Sequence, residues 1–298
     1  MTEVEELQTE TVPLDQALIA EMLEFGKVHY PDGSPYSRLE YRKWLYLDNP
    51  HGRACAPLIR ARGRLVGQAV MVPVWFRLAD GRRQLGRFVV DVLTHPDFRN
   101  QRLFSRIIES ARNACAQENA WLLGHPNAAA LKGWQRMGMQ FKPDLAPNVL
   151  VPWPGLRGRW LRSPAGILQQ WDDFMDRLSL QSDAPEIDRT PEYIEWRFCR
   201  CPDRKYRLGL FVDGHGLPLA WQSTTSWRKG LSLLVDHACI GRRPLSAGFG
   251  TLALLPPAGR DVVNALRLPV RKRIPFFLTS PRGEAVDCHR VTLAASDF

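Results

Sequence analysis

Residues 90–112 read VDVLTHPDFRNQRLFSRIIESAR, and Asp91, His95, Asp97, Arg99 and Arg102 fall together in that run. An apolar strand ends at His95-Pro96, a polar loop runs from Asp97 to Arg102, and an amphipathic helix begins near Leu103. Strand, loop and helix in that order bring unpaired backbone N–H groups and a positive helix end to one point, a ready site for phosphate. Arg99 and Arg102 add full charge. Three groups are candidates for deprotonating a nucleophile beside that site. Asp91 is an acid in an apolar strand, a costly placement unless the carboxylate is paired or functional. Strand alternation sets it on one face with Leu93 and His95. His95 titrates in the right range for a base, and His125 stands at a second strand end, before Pro126-Asn127.

The surrounding pattern supplies the elements that would hold these residues. Residues 13–27 and 37–47 show helical spacing, the second run closed by Asn49-Pro50-His51-Gly52. Strand character at 55–61, 65–78 and 84–94, with turns at Arg62-Gly63 and Ala79-Asp80-Gly81, predicts an antiparallel meander. A helix over 103–118, a buried strand at 120–124, a helix over 128–137 and a strand over 140–151 follow. The run 152–165 is rich in Pro, Gly and Arg and reads as a linker. Beyond it the pattern predicts helices over 166–179 and 191–199, strands at 205–213, 217–227, 230–240 and 250–255, a helix over 259–267, and strands at 271–280 and 284–294. The fold class is α+β, a mixed sheet flanked by helices.

That order repeats an earlier one. Trp44 to Pro50 recurs as Trp196 to Pro202, a hairpin ending in Trp75 recurs as one ending in Trp227, and FVVD at 88–91 recurs as LLVD at 233–236. The reading is two copies of one fold, 1–151 and 166–298, joined by 152–165. Asp236 then matches Asp91, so a shared structural role competes with a catalytic one for that acid. The second copy carries Gly241-Arg242-Arg243-Pro244 after its Val-Asp strand, where Pro244 disfavours an anion site, and it reads as degenerate. Its run Arg271-Lys272-Arg273 is a candidate for an anionic partner.

Pro96-x-x-Arg99-x-x-Arg102-x-Phe104 resembles the acyl-CoA signature of the GNAT (Gcn5-related N-acetyltransferase) superfamily. A second element, Asn127-x-x-Ala130-x-x-x-Trp134-x-x-x-Gly138-Met139, resembles that family's N-x-x-A-x-x-x-Y-x-x-x-G-F. The wider frame is similar to a tandem GNAT-like subgroup associated with exopolysaccharide and cell-surface glycan pathways. The resemblance implies a tandem GNAT-like fold that uses acetyl-CoA or another acyl-CoA. The loop and first helical turn, Arg99, Asn100, Gln101, Arg102, Leu103, Phe104 and Ser105, would hold the pyrophosphate. Leu93 and Thr94 would pair with pantetheine, and Asn127 would stand at the strand end that splays to admit it. Three departures are visible: Arg102 replaces a glycine, Phe104 replaces a glycine or alanine, and Trp134 replaces a tyrosine that often protonates the departing thiolate, which an indole N–H does not do.

The implied reaction is direct attack of an amine, sugar or alcohol on the thioester, the acceptor being a small molecule such as a sugar or sugar nucleotide. Two alternatives are a Fem-like aminoacyl transferase using charged tRNA and a non-catalytic CoA-binding scaffold. The 298 residues carry 40 Lys and Arg against 31 Asp and Glu, a net charge of +9, which favours an anionic partner. No nucleic-acid motif accompanies that charge, so tRNA rests on charge alone. The six cysteines show no metal-ligand spacing, and the reading is free thiols in a cytoplasmic protein with no metal. The polar start MTEVEELQTE lacks a secretory pattern, and no apolar run is long enough to span a membrane.

Overall fold

Asp15 starts the first helix by accepting from the Leu18 N–H at 2.8 Å, an N-cap bond that satisfies one of the helix's orphan donors. In the computed structural model, described for residues 6–98, 101–141, 146–151, 158–180, 184–228, 230–241, 251–255, 265–268 and 275–286, the chain forms two compact units. The first comprises residues 1–74, 85–141 and 277–286, and the second residues 75–84, 142–276 and 287–298.

Elements of the first unit are β1 (Leu7–Pro13), α1 (Gln16–Gly26), α2 (Leu39–Tyr46), β2 (Cys55–Ala61), β3 (Arg64–Arg77), β4 (Arg83–Thr94), α3 (Leu103–Gln117), β5 (Trp121–Gly124) and α4 (Ala128–Arg136). The tip of the β3–β4 hairpin clusters with the second unit. That unit continues with β6 (Ala146–Leu150), β7 (Gly158–Leu161), α5 (Pro164–Gln169), α6 (Trp171–Ser179), β8 (Glu186–Ile187), α7 (Pro191–Ile194), a π turn at Glu195–Cys199, β9 (Tyr206–Asp213), β10 (Pro218–Arg228), β11 (Leu231–Cys239), β12 (Thr251–Leu255) and β13 (Ala265–Arg267). The last strand, β14 (Phe277–Thr279), belongs to the first unit.

One sheet runs β1-β2-β3-β4-β5-β14, with β8 paired to the end of β3. It is mixed: β1 and β2 are antiparallel, β4 and β5 parallel, and β5 and β14 antiparallel. Helix α3 covers it with a stripe of Leu103, Ile107, Ile108, Ala111 and Cys115, the spacing of one helical face. The close approach depends on Gly67, where an added Cβ would lie 2.9 Å from Ile107 Cδ1. Trp134 and Phe277 complete that core. The other sheet runs β13-β6-β12-β11-β10-β9-β7, with β11 and β12 parallel. Its core gathers Leu150, Phe211, Ala220, Leu234, Ala253 and Leu255.

Several expectations are corrected. The strand expected over 140–151 as the close of the first copy is β6, which pairs with β12 and β13 in the other sheet. The place beside β5 is taken by β14, register Phe277↔Gly124. The chain therefore exchanges strands between sheets, and a boundary drawn along the sequence at 151 does not follow the packing. Part of the expected linker is strand β7, paired with β9. The helix expected over 259–267 ends in strand β13, its earlier residues lying outside the described ones. The strand expected over 284–294 is described only at its start, where Ala285 bridges Thr279. Strand β1 was hidden by its composition, since the run Gln8 to Thr11 is polar and exposed.

Candidate functional site

The strand–loop–helix run predicted to carry chemistry is β4, a short 3₁₀ turn at Pro96–Phe98, and α3. Parallel pairing of β4 with β5 is confined to Gly86–Phe88 against Trp121–Leu123. Leu93 and Thr94, further along β4, are half-buried. Arg99 and Asn100 lie outside the described residues. Gln101 is exposed.

Helix α3 opens on Arg102, whose φ of 57° and ψ of 27° are left-handed, and no side chain caps it. That backbone is the one glycine adopts without cost, so the arginine takes up the conformation of the residue it replaces. The first intrahelical bond runs from the Arg106 N–H to the Arg102 carbonyl, 3.1 Å. The amides of Leu103, Phe104 and Ser105 therefore have no partner within the helix. Leu103 is buried and anchors the turn, Ser105 is half-buried, and Phe104 packs edge-on against Trp134 with centroids 5.6 Å apart. Positive helix end, amides without an intrahelical partner and an exposed Arg102 meet here.

Asp91 is not available as a free base. Its side chain is 0% exposed. The Tyr30 hydroxyl donates to Oδ1 at 2.6 Å, and the Tyr46 hydroxyl and Gln68 Nε2 donate to Oδ2 at 3.1 and 2.9 Å. Arg42, equally buried, stands 3.0 Å away. Burial pushes the Asp91 carboxyl up, and Arg42 with the three donors opposes that shift. A left-handed φ of 52° at Asp91 interrupts the pleat, so the simple alternation expected for Asp91, Leu93 and His95 fails there. Asp236 on β11, expected from the sequence to match Asp91, is likewise buried. It receives two bonds from Arg189, both 2.8 Å, and one from the Trp221 indole at 2.9 Å. Each unit thus holds a buried acid–arginine pair on a strand, Asp91 on β4 and Asp236 on β11. The partners Tyr30, Arg42, Tyr46 and Gln68 were missed because a buried arginine on a helix face looks like a polar position until its acid is known.

His95 is buried against the loop. Arg64 Nη2 lies 3.0 Å from Nε2. Nδ1 faces Asp97, with the backbone N–H at 3.3 Å and the carboxylate at 3.7 Å. Both ring nitrogens are engaged in holding the strand end. His125 is half-buried beyond β5, its ring centroid 5.9 Å from that of Phe88. Asn127 caps α4, its Oδ1 accepting from the Ala130 N–H at 2.9 Å. Trp134 is 3% exposed and lies against Phe277, centroids 4.7 Å apart. It is a packing residue.

Residues 17–139 match the Acetyltransferase (GNAT) family. No curated protein matches the chain in sequence. Among solved structures, a conserved Enterococcus faecalis V583 protein of unknown function is similar at 12% identity, covering 92% of this chain and 73% of that one, TM-score 0.65. The Kribbella flavida GCN5-related N-acetyltransferase is similar at 13% identity over 92% and 71%, TM-score 0.63. Saccharomyces cerevisiae N-myristoyltransferase with bound myristoyl-CoA is similar at 12% identity over 97% and 89%, TM-score 0.55. The chain has the GNAT-like acyltransferase fold, built from mixed sheets and helices. Among the described residues, no helix is long and apolar enough to cross a membrane.

Proposed function

We propose that the chain is an acyl-CoA-dependent N- or O-acyltransferase. The observation that carries this reading is the opening of α3: three amides without an intrahelical partner, no side-chain cap, and a left-handed Arg102 where the GNAT loop has glycine. Those amides suit a pyrophosphate, with the Arg102 guanidinium beside them. Leu93 and Thr94 lie on β4 beyond its pairing with β5, where a pantetheine arm would pair with the backbone. The family match over 17–139 and the myristoyl-CoA bound by the yeast neighbour support the same cosubstrate.

An amine or hydroxyl attacks the thioester carbonyl directly, so a proton must leave the acceptor. His125 is assigned that role, since Asp91 is saturated with donors and Arg64 occupies His95 Nε2. The buried indole of Trp134 supplies no proton, and the departing thiolate takes one from solvent. The acceptor is a small amine, sugar or alcohol, with glycan chemistry favoured by the subgroup resemblance, and the protein acts in the cytoplasm. The second unit repeats the order of a meander followed by a parallel strand, and we read it as a degenerate second copy. A non-catalytic CoA-binding role is the second reading, favoured by Trp134 at the tyrosine position. Calorimetric titration with acetyl-CoA tests the first part, and thiol release across a panel of amines and sugars tests the second. Binding without thiol release would select the non-catalytic reading.

A further inference from the structure

The second unit holds a cavity of about 980 Å³, at the upper end of small-molecule sites. Arg162, Arg204, Lys205 and Arg207 line it, and no carboxylate does so among the described residues. Its floor is one face of the sheet. Strand pairing sets Gln222 opposite Gly209, Thr224 opposite Arg207, and Ser232 opposite Thr251, so these positions share a side. Further along, the same face is apolar, with Phe211, Ala220, Ala253 and Leu255. Gln222 and Thr251 are 2% and 4% exposed and still line the cavity.

Arg162 is fitted to this place. Its guanidinium lies 5.1 Å from the Trp160 ring centroid and donates to the Leu208 carbonyl at 3.3 Å. Gly209 makes the room: a Cβ there would stand 2.7 Å from Arg162 Nη1 and 2.8 Å from the Trp160 ring. Arginine at one wall, with amide and hydroxyl groups across the floor, selects for a ligand that carries both an anion and several hydroxyls.

We infer that this cavity binds an anionic sugar, its phosphate or carboxylate held by Arg162 and Arg207 and its hydroxyls by Gln222, Thr224, Ser232 and Thr251. The inference is independent of acyl-CoA binding, which is assigned to the first unit. The test is calorimetry on the full chain with glucose 1-phosphate, glucuronate, neutral glucose and inorganic phosphate. Saturable binding of glucose 1-phosphate or glucuronate is expected, whichever is tighter naming the anion. Glucose and phosphate alone should each bind at least roughly tenfold more weakly. R162Q and R207Q should each weaken the sugar roughly tenfold while leaving acetyl-CoA affinity unchanged. If R162Q fails to fold, R207Q paired with K205Q carries the same test. The inference is overturned if neither anionic sugar binds, if inorganic phosphate binds as well as they do, if the variants keep full sugar affinity, or if they lose acetyl-CoA affinity instead.

Discussion

Arg102 holds a backbone conformation that costs a side chain about 1 kcal/mol relative to glycine. R102G should therefore raise unfolding stability by roughly 0.5–1 kcal/mol in a denaturant titration. A loss of stability would show that the arginine head makes contacts outweighing the strain. The paired acids behave differently. D91N leaves the buried Arg42 without its counter-ion and should cost about 3–5 kcal/mol, whereas D236N leaves Arg189 its 3.4 Å contact to Glu186 and should cost less, about 2–3 kcal/mol. A change under 1 kcal/mol in either would remove the structural role assigned here. At this scale the sequence was legible for the run of strand, turn and helix start, because strand-end proline, polar loop and amphipathic helix leave a local pattern. It was silent on Arg42 and Arg189, whose acids lie 49 and 47 positions away. Burial of a charged pair is a property of packing, and hydropathy reads each member as a surface residue.

Among the elements, α4 depends on its cap. N127A removes the bond from Oδ1 to the Ala130 N–H and should cost about 1 kcal/mol of stability. The end of α1 gives a pH signature. His29 is held below the ordinary imidazole range, first by burial and then by the nearby His95. The unfolded chain binds a proton at about pH 6.5, so between that value and the lower folded one it carries more protons than the native state. Stability should fall as pH drops through that window and level off once the folded His29 also titrates. H29Q should flatten that dependence, measured by thermal unfolding from pH 7.5 to 5. An unchanged slope would assign the effect to other groups. The meander and α3 were predicted to within a residue or two because their apolar periodicity is strong. Strand β1 was missed since its central residues are polar and exposed on both faces, and β13 because three residues carry no period.

For the whole molecule, strand exchange is what the sequence did not reveal. Local pattern marked residues 146–150 and 277–279 as strands, but which sheet each joins is a long-range choice. The exchange makes the C-terminal region part of the first core through Phe277, which packs on Trp134 and Phe141. F277A should cost about 3–5 kcal/mol. A chain ended at residue 151 should show the low unfolding cooperativity of a sheet lacking β14 and β8, and a cooperative native-like transition there would contradict the exchange.

The central claim is that the N-terminus of α3 receives the phosphates of an acyl-CoA. S105E sets a carboxylate in that first turn, where the helix dipole favours it by about 0.3–1 kcal/mol while its charge opposes an anionic ligand. Calorimetric titration of acetyl-CoA into the native chain and into S105E measures both. The prediction is saturable binding to the native chain, weakened roughly tenfold or more in S105E, with thermal stability of the variant undiminished. No binding to the native chain, or equal binding to both, would contradict it.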